Sequence, residues 1–479
     1  MTKLHYLGAT EALALFRSRD LSPVELMEAV IDRTTAINPG INALTETMFD
    51  DALAAARTAE AHYLRAPHDA GAPASANGGP LLGLPVATKE KHAIAGRSFS
   101  QGLVAQAGVR ATAHHPVVER ILAAGGIIHA RTTSPEFSCA TVTHSPLWGV
   151  TRNPWNLDYS PGGSSGGSGA ALAAGMAPLA TASDIAGSTR LPASFTGTVG
   201  FKAPYGRIPG LGPLASDWYR GDGPMARSVA DTALLANVMA GPHAADHNTV
   251  GASPPIPTEP RPVTGMRIAL CIRLGDYQVA TDVEANTRAV AASLEAAGAI
   301  VEEVELPWSS RNIGETIFTH FGHILGPAMQ QATSGGEELL AGYTRQFMED
   351  ARAAAERNTL VDALTAEHRI QAQLAAAMKG FDAMLAPASA VPALDAAGSY
   401  LDGIDLGGTH LEHYWQAHMT APFNIANRCP VLAVPSGLAN VGIPTGVQIV
   451  GHPYDDDTVF RIGATIEESR PWAGKLPPL

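Results

Sequence analysis

Residues 162–190 read GGSSGGSGAALAAGMAPLATASDIAGSTR, and both the fold and the chemistry turn on how this stretch is read. Positions 162–169 hold five glycines and three serines, and Ser188 follows Ser164 by 24 residues in a second small turn, Ala186-Gly187-Ser188. Glycine is dense where a backbone takes unusual dihedrals or lies close against another group. Serines held among such glycines present hydroxyls and bare N–H groups together. Those are the two requirements of acyl transfer: a nucleophile, and donors for a developing oxyanion.

Three other readings of the loop fail on their context. Gly162–Gly166 satisfies G-x-S-x-G, but the nucleophile elbow of that motif needs a strand directly before it. The preceding residues, Asn153-Pro154-Trp155-Asn156-Leu157-Asp158-Tyr159-Ser160-Pro161, suit no central strand. A flexible Gly/Ser linker does not lead into an apolar helix such as residues 170–174. A phosphate loop would end in Gly-Lys-Ser/Thr, which is absent here.

Outward from this stretch, helix and strand signals alternate. Ser22-Pro23-Val24-Glu25 is a capping box with proline at the first helical position, and Met27, Val30 and Ile31 mark one apolar face. Residues 66–80 read as a surface loop and residues 81–89 as a short buried strand. Val117, Val118, Ile121 and Leu122 repeat at helical spacing and stop at Gly125-Gly126, ahead of a strand over 127–131. Beyond a Pro-rich stretch at 251–265, strand-like segments 266–274 and 300–306 flank a helix carrying Val283, Val290 and Leu294 and closed by Gly298. Such a βαβ unit predicts parallel strands. Residues 431–434 and 447–450 are further core strands. The pattern predicts one α/β body with helices on both faces.

Composition narrows the class. The chain has 479 residues, only 16% of them charged, and a formal net charge of −13, with no Lys/Arg-rich run. That balance argues against nucleic acid or an anionic membrane as partner. The longest weakly polar run, 170–182, is too short for a bilayer span. Cys139, Cys271 and Cys429 form neither a disulfide framework nor a zinc spacing, so a cytoplasmic setting is expected. The 17 histidines include no H-E-x-x-H, and His92 and the His114-His115 pair read as satisfied core or surface groups; no metal and no cofactor are expected.

Three blocks then give the chain a family likeness: Leu84-Pro85-Val86-Ala87-Thr88-Lys89, the loop Gly162–Gly169, and Asp184-Ile185-Ala186-Gly187-Ser188-Thr189-Arg190. In order, chemistry and serine spacing they resemble the amidase signature family, and the likeness runs from about residue 21 to 472, including Pro444–Gly451 near the end. The resemblance implies a single domain built on a central mixed, largely parallel twisted sheet, with a signature core over about 80–240 and 425–472 and a variable pocket region over about 308–423. It implies a Ser–Ser–Lys triad in which Ser188 is the nucleophile, Ser164 a bridging serine after a cis peptide, and Lys89 the base. Lys89 can accept a proton only when neutral, which burial at the end of an apolar strand would favour. The N–H groups of Ile185, Ala186, Gly187 and Ser188 are expected to form an oxyanion hole. Ser165, Asp184 and Arg190 are expected to hold the turn, and Gly163 and Ser138 to border the substrate.

This chain departs from the family pattern at Glu90 (usually Asp), Ala186 (usually Gly) and Thr196 (often Cys), none of them triad positions. The expected activity is hydrolysis of amides, with carbamates and esters as further candidates, on small hydrophobic or aryl substrates. Ile317, Phe318, Phe321, Leu325, Tyr343, Phe347, Tyr414 and Trp415 are candidate pocket walls. Monomer and homodimer both stay open. Two rival roles remain: the glutaminase subunit of a tRNA-dependent amidotransferase, and a non-catalytic binding protein on the same fold. The first is disfavoured by Tyr205-Gly206-Arg207-Ile208-Pro209-Gly210-Leu211, where those subunits usually read Tyr-Gly-x-Val-Ser-Arg-Tyr-Gly.

Overall fold

The computed structural model describes residues 3–65, 78–472 and 474–479; most of the loop expected at 66–80, residues 66–77, lies outside the described residues. The strands are β1 Leu44–Thr47, β2 Pro85–Lys89, β3 Ile127–Thr132, β4 His144–Ser145, β5 Gly149–Val150, β6 Leu179–Asp184, β7 Val199–Lys202, β8 Gly221–Ala226, β9 Arg267–Leu270, β10 Ile300–Glu303, β11 Ala383–Pro387, β12 Ile404–Leu406, β13 Thr409–Leu411, β14 Val431–Leu438 and β15 Pro444–Gly451. Eleven of them form one sheet in the order β1-β3-β2-β6-β8-β7-β14-β15-β11-β9-β10, and the other four make two small hairpins.

The sheet is mixed, and its parallel pairings fall in two blocks. One is β3-β2-β6 and the other β11-β9-β10. Between them, every pairing from β6 to β11 is antiparallel, as is the β1–β3 edge. The expectation of a largely parallel sheet therefore holds in the flanks and is corrected in the middle. The short connection over residues 439–443 joins β14 to β15 and leaves no room for the crossover that parallel strands need. The anticipated βαβ unit is present: β9, the Thr281–Ala296 helix, then β10 parallel to β9.

Local signals worked where they rest on backbone chemistry. Val24 N donates to Ser22 Oγ at 2.9 Å and Ser22 N to Glu25 Oε2 at 2.8 Å, so the capping box opens the Pro23–Ile41 helix as read. The strand expected over 81–89 begins only at Pro85, because Leu84 N turns back to Leu81 O at 3.0 Å. On the Pro116–Ala123 helix Val117, Val118 and Ile121 are buried, but Leu122 is 42% exposed and leaves the apolar face. β9 is shorter than expected, and β10 is an edge strand with Ile300 46% exposed. Among the described residues, no helix is long and apolar enough to cross a membrane.

Two strand ends set the site. Lys89 is the last residue of β2 and Asp184 the last of β6, and these strands lie side by side in the parallel block. The Gly166–Ala173 helix lies wholly buried against them.

Candidate active site

Lys89 is fully buried, and its ammonium nitrogen meets three hydroxyls. Nζ lies 2.7 Å from Ser164 Oγ, 3.0 Å from Ser165 Oγ and 3.1 Å from Ser183 Oγ. Burial holds the lysine pKa well below its ordinary value; nearby Lys91 adds to this, and the carboxylates Asp222 and Asp184 oppose it without prevailing. The strand end that supplies Lys89 is itself pinned, because Lys89 N donates to Thr181 Oγ1 at 2.9 Å. Thr181 and Ser183 alternate with Ala180 and Ala182 along β6, so the period of two turns both hydroxyls toward Lys89.

The glycine-serine loop supplies Ser164 and Ser165. The Gly163–Ser164 peptide is cis, as the family likeness implied. A Cβ at Gly163 would sit 2.7 Å from the main-chain carbon of Thr141, so only glycine fits this approach. Ser165 occupies the N-cap position of the Gly166–Ala173 helix, yet its hydroxyl makes no cap hydrogen bond and is spent on Lys89. Its N–H donates to Ser188 O at 3.1 Å, which fastens the loop to the second turn.

That second turn joins β6 to the Arg190–Thr196 helix. The strand–turn–helix setting that Ser164 lacks is therefore found around Ser188. Asp184 organises it: Gly187 N donates to Oδ1 at 2.7 Å, Thr189 N to Oδ2 at 3.2 Å, and Arg190 grips both oxygens at 2.9 and 3.0 Å. Burial pushes the Asp184 carboxyl up, but Arg190 and the hydrogen bonds from Arg190 and Asn424 outweigh it and hold the group well below the usual carboxylate range. Arg190 also donates to Thr420 O and Gln448 Oε1, each at 2.9 Å, and Asn424 Nδ2 to Asp184 Oδ1 at 2.9 Å. Asp184 and Arg190 are thus hydrogen-bonded to each other, and Asp184 to the turn.

One expectation is corrected. Of the four N–H groups assigned to an oxyanion hole, that of Gly187 is committed to Asp184. Among the described residues, those of Ile185, Ala186 and Ser188 carry no hydrogen bond. Gly187 has φ 125°, and a Cβ there would lie 2.0 Å from Thr420 Oγ1, so its role is to let the turn close. Ala186 is not in the left-handed region, which is why a Cβ is tolerated there. Ser188 is 5% exposed, and no hydrogen bond joins its hydroxyl to that of Ser164. Ser138 lies apart from the cluster in hydrogen bonding. It follows Phe137 in a pair of left-handed residues, φ 52° and 59°, which the neighbouring Glu136 ties to Thr344 Oγ1 at 2.6 Å.

Sequence reasoning missed a second buried cluster beside Lys89. Asp222 faces His92 Nε2 at 3.0 Å, His115 Nε2 at 3.4 Å and Lys91 Nζ at 3.4 Å, and His92 Nδ1 meets Thr181 Oγ1 at 2.8 Å. The His92, His115 and Asp222 ligand atoms lie within 4.8 Å of one another. Hydrogen bonding decides their chemistry. His115 Nδ1 accepts from Val117 N at 3.2 Å, so the neutral ring carries its proton on Nε2, toward the carboxylate, and Lys91 supplies the cation. This donor set makes a hydrogen-bonded charge cluster and does not fit a metal. Asp222 lies between two glycines and a proline, a run with no strand signal, so only the fold brings it here.

The Amidase family model matches residues 25–460. An acylamidase of Rhodococcus erythropolis is 35% identical over 99% of this chain and 98% of its own length. A glutamyl-tRNA(Gln) amidotransferase subunit from Chloroflexus aurantiacus (strain ATCC 29366 / DSM 635 / J-10-fl) is 31% identical over the whole of both chains. Among solved structures, a bacterial aryl acylamidase superposes with a TM-score of 0.88 at 26% identity, covering 98% of this chain and 97% of that one. A 6-aminohexanoate cyclic dimer hydrolase complexed with substrate gives 0.83 at 27% identity, covering 99% of each. These matches define a hydrolase acting on carbon–nitrogen bonds. The chain belongs to the amidase signature family.

Proposed function

We propose that Ser188 is the nucleophile, Ser164 the proton relay and Lys89 the base of an amide hydrolase that works through an acyl-enzyme. The observation that carries this reading is the buried Lys89 amine on the Ser164 hydroxyl at 2.7 Å. A serine hydroxyl attacks only when its proton is removed, and a lysine kept neutral by burial accepts it. Ser188 passes its proton to Ser164, whose own proton goes to Lys89 Nζ. The Ser188 hydroxyl, uncommitted in the free enzyme, closes on Ser164 when a substrate carbonyl is seated, since catalytic hydrogen bonds are often long before the complex forms. The N–H groups of Ile185, Ala186 and Ser188 receive the oxyanion. The relay then returns a proton to the departing nitrogen, and water activated by the same route releases the acid. Protonation of the leaving group is what extends the chemistry from esters to amides and carbamates.

The substrate is a small amide or aryl carbamate with an apolar body. Support comes from partly buried Phe137, Ile185, Ala186, Phe347 and Trp415, which pack on one apolar cluster beside the turn. The stretch 308–423 then supplies pocket walls, although Ile317, Phe318, Phe321, Leu325, Tyr343 and Tyr414 are buried in the core. A fluorophosphonate probe is expected to label the wild type and not Ser188→Ala, and Ser164→Ala is expected to lose anilide turnover. Labelling of Ser188→Ala, or anilide hydrolysis by it, would overturn the assignment. The rival glutaminase reading draws on the 31% identical amidotransferase relative. Turnover of anilides by the purified chain alone counts against it.

A further inference from the structure

Arg220 is a cation whose charge acts on Asp217 without a hydrogen-bonded ion pair to it. Its buried Nε has no hydrogen bond, and among the described residues its guanidinium forms no ion pair. The residue lines a cavity of about 260 Å³ together with Lys91, His115, Leu214, Asp222 and Asp246. The two carboxylates are already engaged. Asp222 holds Lys91 and the two histidines, and Asp246 accepts from Gly210 N at 2.8 Å and Asn248 N at 3.0 Å. The two cations and two carboxylates of the lining balance in charge, but among the described residues the Arg220 guanidinium alone of the four makes no hydrogen bond.

No residue of the turn around Ser188 lines the cavity, and Arg220 is the link between the two. Gly221 is the ladder partner of Asp184, so Arg220 stands one step beyond, beside Ile185. Leu214 packs on the same apolar cluster as Ile185 and Ala186. The main chain of Arg220 is fixed at both ends, its N–H on Asp217 O at 3.0 Å and its carbonyl under Asn427 Nδ2 at 3.3 Å. The Arg220 charge also acts on Lys89, helping to lower its pKa.

We infer that this cavity is a substrate subsite for a carboxylate, held by the Arg220 guanidinium while the scissile carbonyl lies at Ser188. A planar guanidinium with free donors matches a carboxylate in bidentate fashion, and a desolvated pairing of this kind adds specificity as well as affinity. The preferred substrate is therefore an amide with an apolar body and one carboxylate. This deepens the reading of Ser188 as nucleophile and rests on it.

The test compares succinanilic acid and glutaranilic acid (carboxylate on the acyl side) and N-acetyl-4-aminobenzoate (carboxylate on the amine side) with their methyl esters at equal concentration. The wild type should favour at least one acid over its ester. In Arg220→Gln that ratio of kcat/KM should fall about 10- to 100-fold, and Arg220→Lys should restore part of it. Fluorophosphonate labelling of each variant reports that Ser188 and its turn are intact. Labelled enzyme that shows no preference for any acid, or a preference untouched in Arg220→Gln, overturns the subsite and leaves the nucleophile standing. Wild type that neither labels nor turns over any member overturns the Ser188 reading beneath it.

Discussion

On the proposed mechanism, Lys89 is the residue on which pH acts. Burial lowers its pKa, so the neutral amine is present at pH values where an ordinary lysine is charged. Anilide kcat/KM should rise with pH as Lys89 loses its proton and then level off. Lys89→Met should remove that acid limb and cost on the order of 10²–10⁴ in amide turnover. An activated p-nitrophenyl ester, whose leaving group needs no proton, should lose less. A pH–rate profile that keeps its acid limb in Lys89→Met would assign the limb elsewhere. The three hydroxyls around Nζ differ in how visible they are in sequence. Ser164 and Ser165 stand in a glycine-rich loop that announces itself, whereas Ser183 is one serine in an alternating strand and gains its meaning only once Lys89 lies opposite.

At the scale of the element, the turn after β6 is held by a clasp from the C-terminal part of the chain. Asp184 accepts five hydrogen bonds, one of them from Asn424, and Arg190 reaches Thr420 and Gln448. Asp184→Asn leaves Arg190 a buried cation without its counter-ion, a change that typically costs about 3–5 kcal/mol. A lowered Tm and weakened fluorophosphonate labelling are expected together. Gly187→Ala drives a Cβ onto Thr420 Oγ1 and should depress turnover about 10²-fold or more, with far-UV circular dichroism reporting that the fold survives. Elements with local chemistry were legible: the capping box at Ser22, the helix stop at Gly125, the βαβ unit ending in β10. β8 was not. Gly221-Asp222-Gly223-Pro224 carries turn residues, yet it runs through the sheet between β6 and β7. A Cβ at Gly223 would lie 2.1 Å from Phe201 O, so glycine is there for a close approach between strands. The Asp222 cluster and Arg220 were hidden for the same reason, since both depend on this unannounced strand.

For the whole molecule, the buried histidines set the acid limit of stability. His115 and His418 are held down to about 3 and His129 to about 4 by burial, against an ordinary value of 6.5. Between those values the unfolded chain binds protons that the folded chain refuses, so stability falls as pH drops from 6.5 toward 3. Each such group contributes up to about 1.4 kcal/mol per pH unit. Asp184 and Asp222, with pKa values held below the ordinary 3.8, add a further loss as pH falls beneath that value. Glu467 and Asp456, pushed up by burial to about 7 and about 6, act in the opposite sense over part of this range. The check is therefore differential: the urea midpoint should fall less between pH 6.5 and 4.5 in His418→Phe than in the wild type, and an unchanged slope would contradict the low pKa of that ring. The net charge of −13 is spread thinly over 479 residues, and the family blocks span nearly all of them, which is why the overall class could be read before any contact was known.

The long reach of the clasp has a consequence for synthesis. Lys89, Ser164 and Ser188 leave the ribosome more than two hundred residues before Thr420, Asn424 and Gln448 do. A nascent chain holding all three of the side chains proposed to react still lacks the groups that hydrogen-bond Asp184 and Arg190 from the C-terminal part. On the proposed mechanism hydrolytic competence arrives late, with the last strands of the sheet, and a chain stalled short of them is expected to be inert.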